Sequence, residues 1–144
     1  MSKAELFVGL KIPDTTSITT LHTLEKMGYK IKKVKREIYY SFDIEGNAKE
    51  FTKKIGKVDV LVNANKNKYS IKLEKEEGAF CILVKDIGDK CKSLLETLHK
   101  LGLEEIKSME KGVLWALYVD SEKTAKEIAG KLLYNENYQE IVML

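Results

Sequence analysis

Asp43-Ile44-Glu45-Gly46-Asn47-Ala48-Lys49-Glu50-Phe51-Thr52-Lys53-Lys54 and Asp120-Ser121-Glu122-Lys123-Thr124-Ala125-Lys126-Glu127-Ile128-Ala129-Gly130-Lys131 agree at six of twelve positions when the chain is slid over itself by 77 residues. Such self-similarity marks an internal duplication. Working outward, a shift of 74 pairs Lys11 with Lys85, Leu21 with Leu95, Leu24 with Leu98, Lys26 with Lys100 and Gly28 with Gly102. The same shift sets Leu6, Val8 and Leu10 on Phe80, Ile82 and Val84, and a shift of 72 sets Leu61-x-Asn63-x-Asn65 on Leu133-x-Asn135-x-Asn137. The offset changes only between the matched blocks, where loops absorb insertions. The chain thus divides into repeat one, residues 1–73, a charged joint at 74–78, and repeat two, residues 79–144.

Each repeat reads as strand, helix, two strands or one long bent strand, helix, strand. Leu6, Val8, Leu10 and Ile12 alternate as a half-buried strand, and Ile18, Leu21, Leu24 and Met27 then recur at helical spacing up to Gly28. Cys91, Leu94, Leu95, Leu98 and Leu101 form the matching stripe, closed by Gly102. A glycine after the last apolar residue suits a left-handed helix cap. The second helices open on Asn47-x-x-Glu50 and Thr124-x-x-Glu127, which predict capping boxes. Between the helices, Ile38, Tyr40, Phe42 and Ile44 alternate, whereas Val113 to Val119 is apolar throughout and predicts burial on both faces. The expected fold is α+β: two tandem ferredoxin-like βαββαβ units, each an antiparallel sheet with two helices on one face. The other face then needs a cover, and the other repeat or another subunit is the expected one.

Composition excludes several classes of function. No apolar run reaches the length of a membrane span and no signal-peptide pattern stands at the N-terminus, so a cytoplasmic, non-membrane protein is expected. Cys81 and Cys91 fit no metal spacing and no redox pair. His22 and His99 occupy non-equivalent positions on the polar sides of their helices, and phosphate loops, nucleophile elbows and paired carboxylates are missing. No catalytic residue, no cofactor and no metal is therefore expected. Lys30, Lys32, Lys33, Lys35 and Arg36 could touch phosphates, but without interleaved aromatics the run reads as an edge strand kept soluble by lysines, and nucleic acid is not the expected partner. Trp115 reads either as core or as an interface anchor. The candidate interface residues are Phe7, Cys81, Trp115, Leu117 and Asn135.

The order of motifs resembles the PurS family, the small subunits of phosphoribosylformylglycinamidine synthase. A strand ends in Leu10-Lys11 or Val84-Lys85, and an acidic residue, Asp14 or Asp89, starts the next helix. Leu24 to Gly28 or Leu98 to Gly102 closes that helix, Lys111-Gly112 follows, and Leu132 to Asn135 ends the last one. The resemblance covers both repeats. It implies a tandem PurS-like fold in which one polypeptide mimics the dimer formed by single-unit members. It also implies a non-catalytic subunit of an ATP-dependent ligase complex in purine biosynthesis, with the synthetase and glutaminase subunits as partners and a homo-oligomer possible. Two other classes share the predicted element order: a tandem ACT-like small-molecule-sensing regulatory domain, and a ferredoxin-like RNA-binding module using the Lys30–Arg36 run.

Overall fold

A computed structural model describes residues 2–73, 75–86, 91–134 and 139–144. Repeat one contributes β1 (Ser2–Leu10), α1 (Thr15–Lys26), β2 (Val34–Ile44), α2 (Ala48–Ile55) and β3 (Asn67–Ser70). Repeat two contributes β4 (Ala79–Asp86), α3 (Lys92–Lys100), β5 (Ile106–Tyr118), α4 (Glu122–Ile128) and β6 (Gln139–Met143), with a π turn at Ala129–Leu133 continuing α4. A single long strand stands between the helices of each repeat, so the unit is βαβαβ where βαββαβ was expected. β2 carries no glycine, proline or asparagine at which a hairpin could turn. In β5 Gly112 stays in the ladder, and a Cβ there would come within 2.6 Å of the Val84 carbonyl oxygen. That glycine serves close approach of two strands rather than a turn.

The strands form one antiparallel sheet of six in the order β3-β1-β2-β5-β4-β6. β2 and β5 join the repeats through a register running from Val34↔Leu117 to Ile44↔Ile106, with a bulge at its end. β2 is therefore internal to the sheet along most of its length, but its cation-rich start, residues 34–37, pairs with β5 alone and is an edge on its other side.

The helices cross over between repeats. Phe51 and Ile55 of α2 share a core with Leu98 of α3 above Leu6, Phe42 and Ile44. Leu24 of α1 instead joins Ala125 and Ile128 of α4 above Ile82, Trp115 and Leu117. Each repeat thus lends its first helix to a core made mostly by the other. The helix termini follow from local chemistry: Gly28 and Gly102 take φ of +95° and +96° just beyond α1 and α3, as expected. Asn47 caps α2, but Ser121 caps α4 by accepting from the Thr124 N–H, so Thr124, the predicted cap, lies inside the helix as its third residue. Ile18, Met27 and Leu101, expected in buried stripes, are exposed.

On the helix-free face, Phe7, Tyr39, Cys81, Leu83 and Leu114 form a third buried cluster, and Leu73 packs against it. Residues 71–73 and 75–78 lie between β3, at one edge, and β4, next to the other, and through Leu73 and Glu76 the joint between repeats is also a strap over this face. Lys35 and the Tyr118 hydroxyl both donate to the Glu76 carboxylate, and Lys75 donates to the Leu144 carbonyl. Cover that was expected from a second repeat or subunit comes here, at least in part, from the chain's own linker.

Candidate functional site

The β1–β2 ladder ends at Val8↔Ile38. Beyond it, Gly9 to Pro13 leaves β2 and runs with β3: Lys11 N–H donates to the Lys66 carbonyl at 2.9 Å, and Lys11 Nζ to that of Ala64 at 2.6 Å. The Gly9 carbonyl, which faces β3, accepts from Asn67 Nδ2 at 3.2 Å and helps tie these two strands together beyond the parting. Repeat two shows the contrast. The positions matching Gly9, Leu10 and Lys11 are Leu83, Val84 and Lys85, and those matching Lys35, Arg36 and Glu37 are Gly112, Val113 and Leu114. There the ladder continues through Leu83↔Leu114, Val84↔Val113 and Lys85↔Gly112. The parting of strands belongs to repeat one alone.

It opens a cavity of about 370 Å³ that reaches from the helix-free face to the start of α1. Its floor is hollow because Gly9, Ala79, Cys81 and Ala116 are small where neighbouring positions on the same face carry Phe7, Leu83 and Tyr118. Leu73 and Glu76 of the strap line it as well, and the exposed side chains of Leu10, Ile12 and Ile18 stand along its lining toward solvent. A volume of this size lies in the lower part of the range for small-molecule sites, about 300–1,000 Å³.

At the α1 end, Asp14 caps the helix by accepting from the N–H groups of Thr16 and Ser17 at 3.0 and 3.4 Å. Arg36 donates to the same carboxylate from Nε at 3.0 Å and Nη2 at 3.3 Å. Burial pushes the Asp14 pKa up, but the guanidinium and the two backbone donors together outweigh it and hold the carboxyl below its ordinary value. One turn on, Ser17 is 6% exposed and its Oγ has no hydrogen-bond partner among the described residues. A buried hydroxyl left in that condition costs about 1–3 kcal/mol. On the helix-free face, Lys33 and Lys35 lie 6.0 and 5.8 Å from the Tyr118 ring centroid. Burial raises the pKa of the Tyr118 hydroxyl, and its bond to Glu76 adds to that.

Of the candidate interface residues, Phe7 and Cys81 are buried on the helix-free face at 1% and 2% exposure, and Cys81 lines the cavity. Trp115 and Leu117 lie in the core beneath α1 and α4. Their contacts are with other parts of the same chain. Asn135 falls outside the described residues, as does Asp89. His99 Nε2 donates to the Ile106 carbonyl at 2.7 Å and ties α3 to β5, and His22 is exposed. Among the described residues no group of three or more His, Cys, Asp or Glu side chains is arranged to hold a metal ion, and no helix is long and apolar enough to cross a membrane.

The sequence reading missed the cavity. Its signal was available in the run Lys33 to Arg36, whose counterparts in repeat two include Glu110, Gly112 and Val113. Neither protein-family models nor curated protein sequences give a match to this chain.

Proposed function

We propose that this chain is a non-catalytic, PurS-like assembly subunit that helps join the glutaminase and synthetase subunits of a phosphoribosylformylglycinamidine synthase. The observation that carries the reading is the mutual completion of the two repeats. β2 and β5 make one sheet of them, and α1 and α3, which rest on their own β2 and β5, each set a buried leucine into the core made mostly by the other repeat. A single repeat would leave the apolar ground under its exchanged helix wet, so the unit has to work as a pair. This is the arrangement expected where a tandem chain replaces a dimer of single-unit subunits. The short joint also holds the two surfaces of an adaptor at fixed separation.

Reconstitution tests the reading. The synthetase and glutaminase from the same organism are mixed with and without this chain, and glutamine-dependent formation of the amidine is measured alongside gel filtration. Co-elution with at least a several-fold rise in activity is expected. Equal activity without co-elution would overturn the proposal.

A further inference from the structure

We propose that the cavity between β1 and β2 is a binding site for a small amphipathic anion, with an apolar body of about one aromatic ring and a single carboxylate or phosphate. Three independent features of the chain point there. First, the site is specific to repeat one: three ladder positions that pair in repeat two are opened here. A duplication that arose from two like copies has therefore diverged at this place.

Second, the lining is divided by chemistry. Ala79, Cys81, Leu114 and Ala116 with Leu73 above them provide an apolar seat. Around it stand Lys33, Lys35, Arg36 and Lys68 against Asp14, Glu37 and Glu76. Arg36 is engaged with Asp14 and Lys35 with Glu76, so the balance of four cations against three carboxylates favours an added negative charge. Third, Ser17 belongs to the lining and its Oγ, closed off from solvent, has no partner among the described residues, so the hydroxyl can donate to an anionic oxygen once its side chain turns toward the cavity. A ligand seated here would also touch the strap through Leu73 and Glu76, which links its occupancy to the joint between the repeats.

The test uses the full chain with phenylacetate and phenyl phosphate as probes and benzyl alcohol as the neutral control, followed by backbone amide shifts and calorimetry. At least one anionic probe is expected to bind saturably. Its largest shifts should fall at Gly9, Ser17, Lys35 and Ala116, and the neutral control should bind at least ten-fold more weakly. Whichever anion binds tells carboxylate from phosphate. Lys33→Gln combined with Lys68→Gln should weaken binding at least ten-fold with an unchanged unfolding midpoint, and Ala116→Leu should abolish it by filling the seat. If Ala116→Leu fails to fold, the lysine variant and the shift map decide alone. Absence of saturable binding, equal binding of the neutral probe, or shifts mapping elsewhere would overturn the proposal. None of these outcomes depends on the synthetase or glutaminase, so this site and the assembly role stand or fall separately.

Discussion

Replacing Asp14 by alanine removes two interactions at once: the cap of α1 and the partner of Arg36. The cap contributes about 1 kcal/mol. A hydrogen bond between charged groups contributes about 1.5–3 kcal/mol, and the lower end applies because the Asp14 and Arg36 side chains retain 15% and 25% of their exposure. Asp14→Ala should therefore lose about 2–3 kcal/mol in urea denaturation at neutral pH. Arg36→Met, which keeps the cap, should lose about 1.5 kcal/mol, and the double variant should reveal a coupling of about 1 kcal/mol. The carboxyl has a lower pKa folded than unfolded, so its contribution is complete above the unfolded value of about 3.9 and disappears as pH falls through the folded one. The gap between the native chain and Asp14→Ala should narrow only in that acid window. A coupling below about 0.3 kcal/mol, within the ordinary scatter of additivity, or a gap that stays constant down to pH 2, would refute this account of the site's α1 end.

Gly112→Ala should destabilise the chain by about 1–3 kcal/mol, because the new methyl meets backbone rather than a side chain able to move. Gly9→Ala places its methyl 3.5 Å from Lys68 Cε, an ordinary contact, and should cost clearly less; equal losses in a thermal melt would contradict the packing described. Cys81 is buried and its thiol pKa is raised by that burial, so it should react with a thiol reagent far more slowly than an exposed cysteine. Glu76→Gln weakens the tie of the strap to Lys35 and should speed that reaction several-fold; an unchanged rate would mean that the strap does not guard Cys81.

The duplication was legible because matched blocks keep their offsets, and so were the glycine ends of α1 and α3, where a local conformation demands one residue type. What the alignment could not convey is which strands a helix covers. Leu24 and Leu98 are equivalent in sequence and both fully buried, and an apolar stripe is satisfied equally by its own sheet or by its neighbour's. The hairpin expected between helices failed because β2 and β5 run apolar or alternating straight through, and continuity of pattern outweighed the expected motif. Thr124 was read as a cap because the box spelling fits, yet Ser121, three residues earlier, has the same chemistry and holds the position. The cavity escaped because it arises from a ladder that stops early, and ladder length depends on which partner β1 follows. Only the loss of the Lys33–Arg36 charges in repeat two hinted that the copies differ there.

The central claim, that the repeats complete one another, is tested most directly by nuclear Overhauser contacts in the intact chain. Cross-strand contacts should run from Val34–Leu117 to Phe42–Met109, and the methyls of Leu24 should contact the core around Trp115 and Ile128 while those of Leu98 contact the core around Phe42 and Phe51. Contacts from Leu24 confined to the Phe42 core, with no ladder between β2 and β5, would show two self-contained repeats and contradict the account.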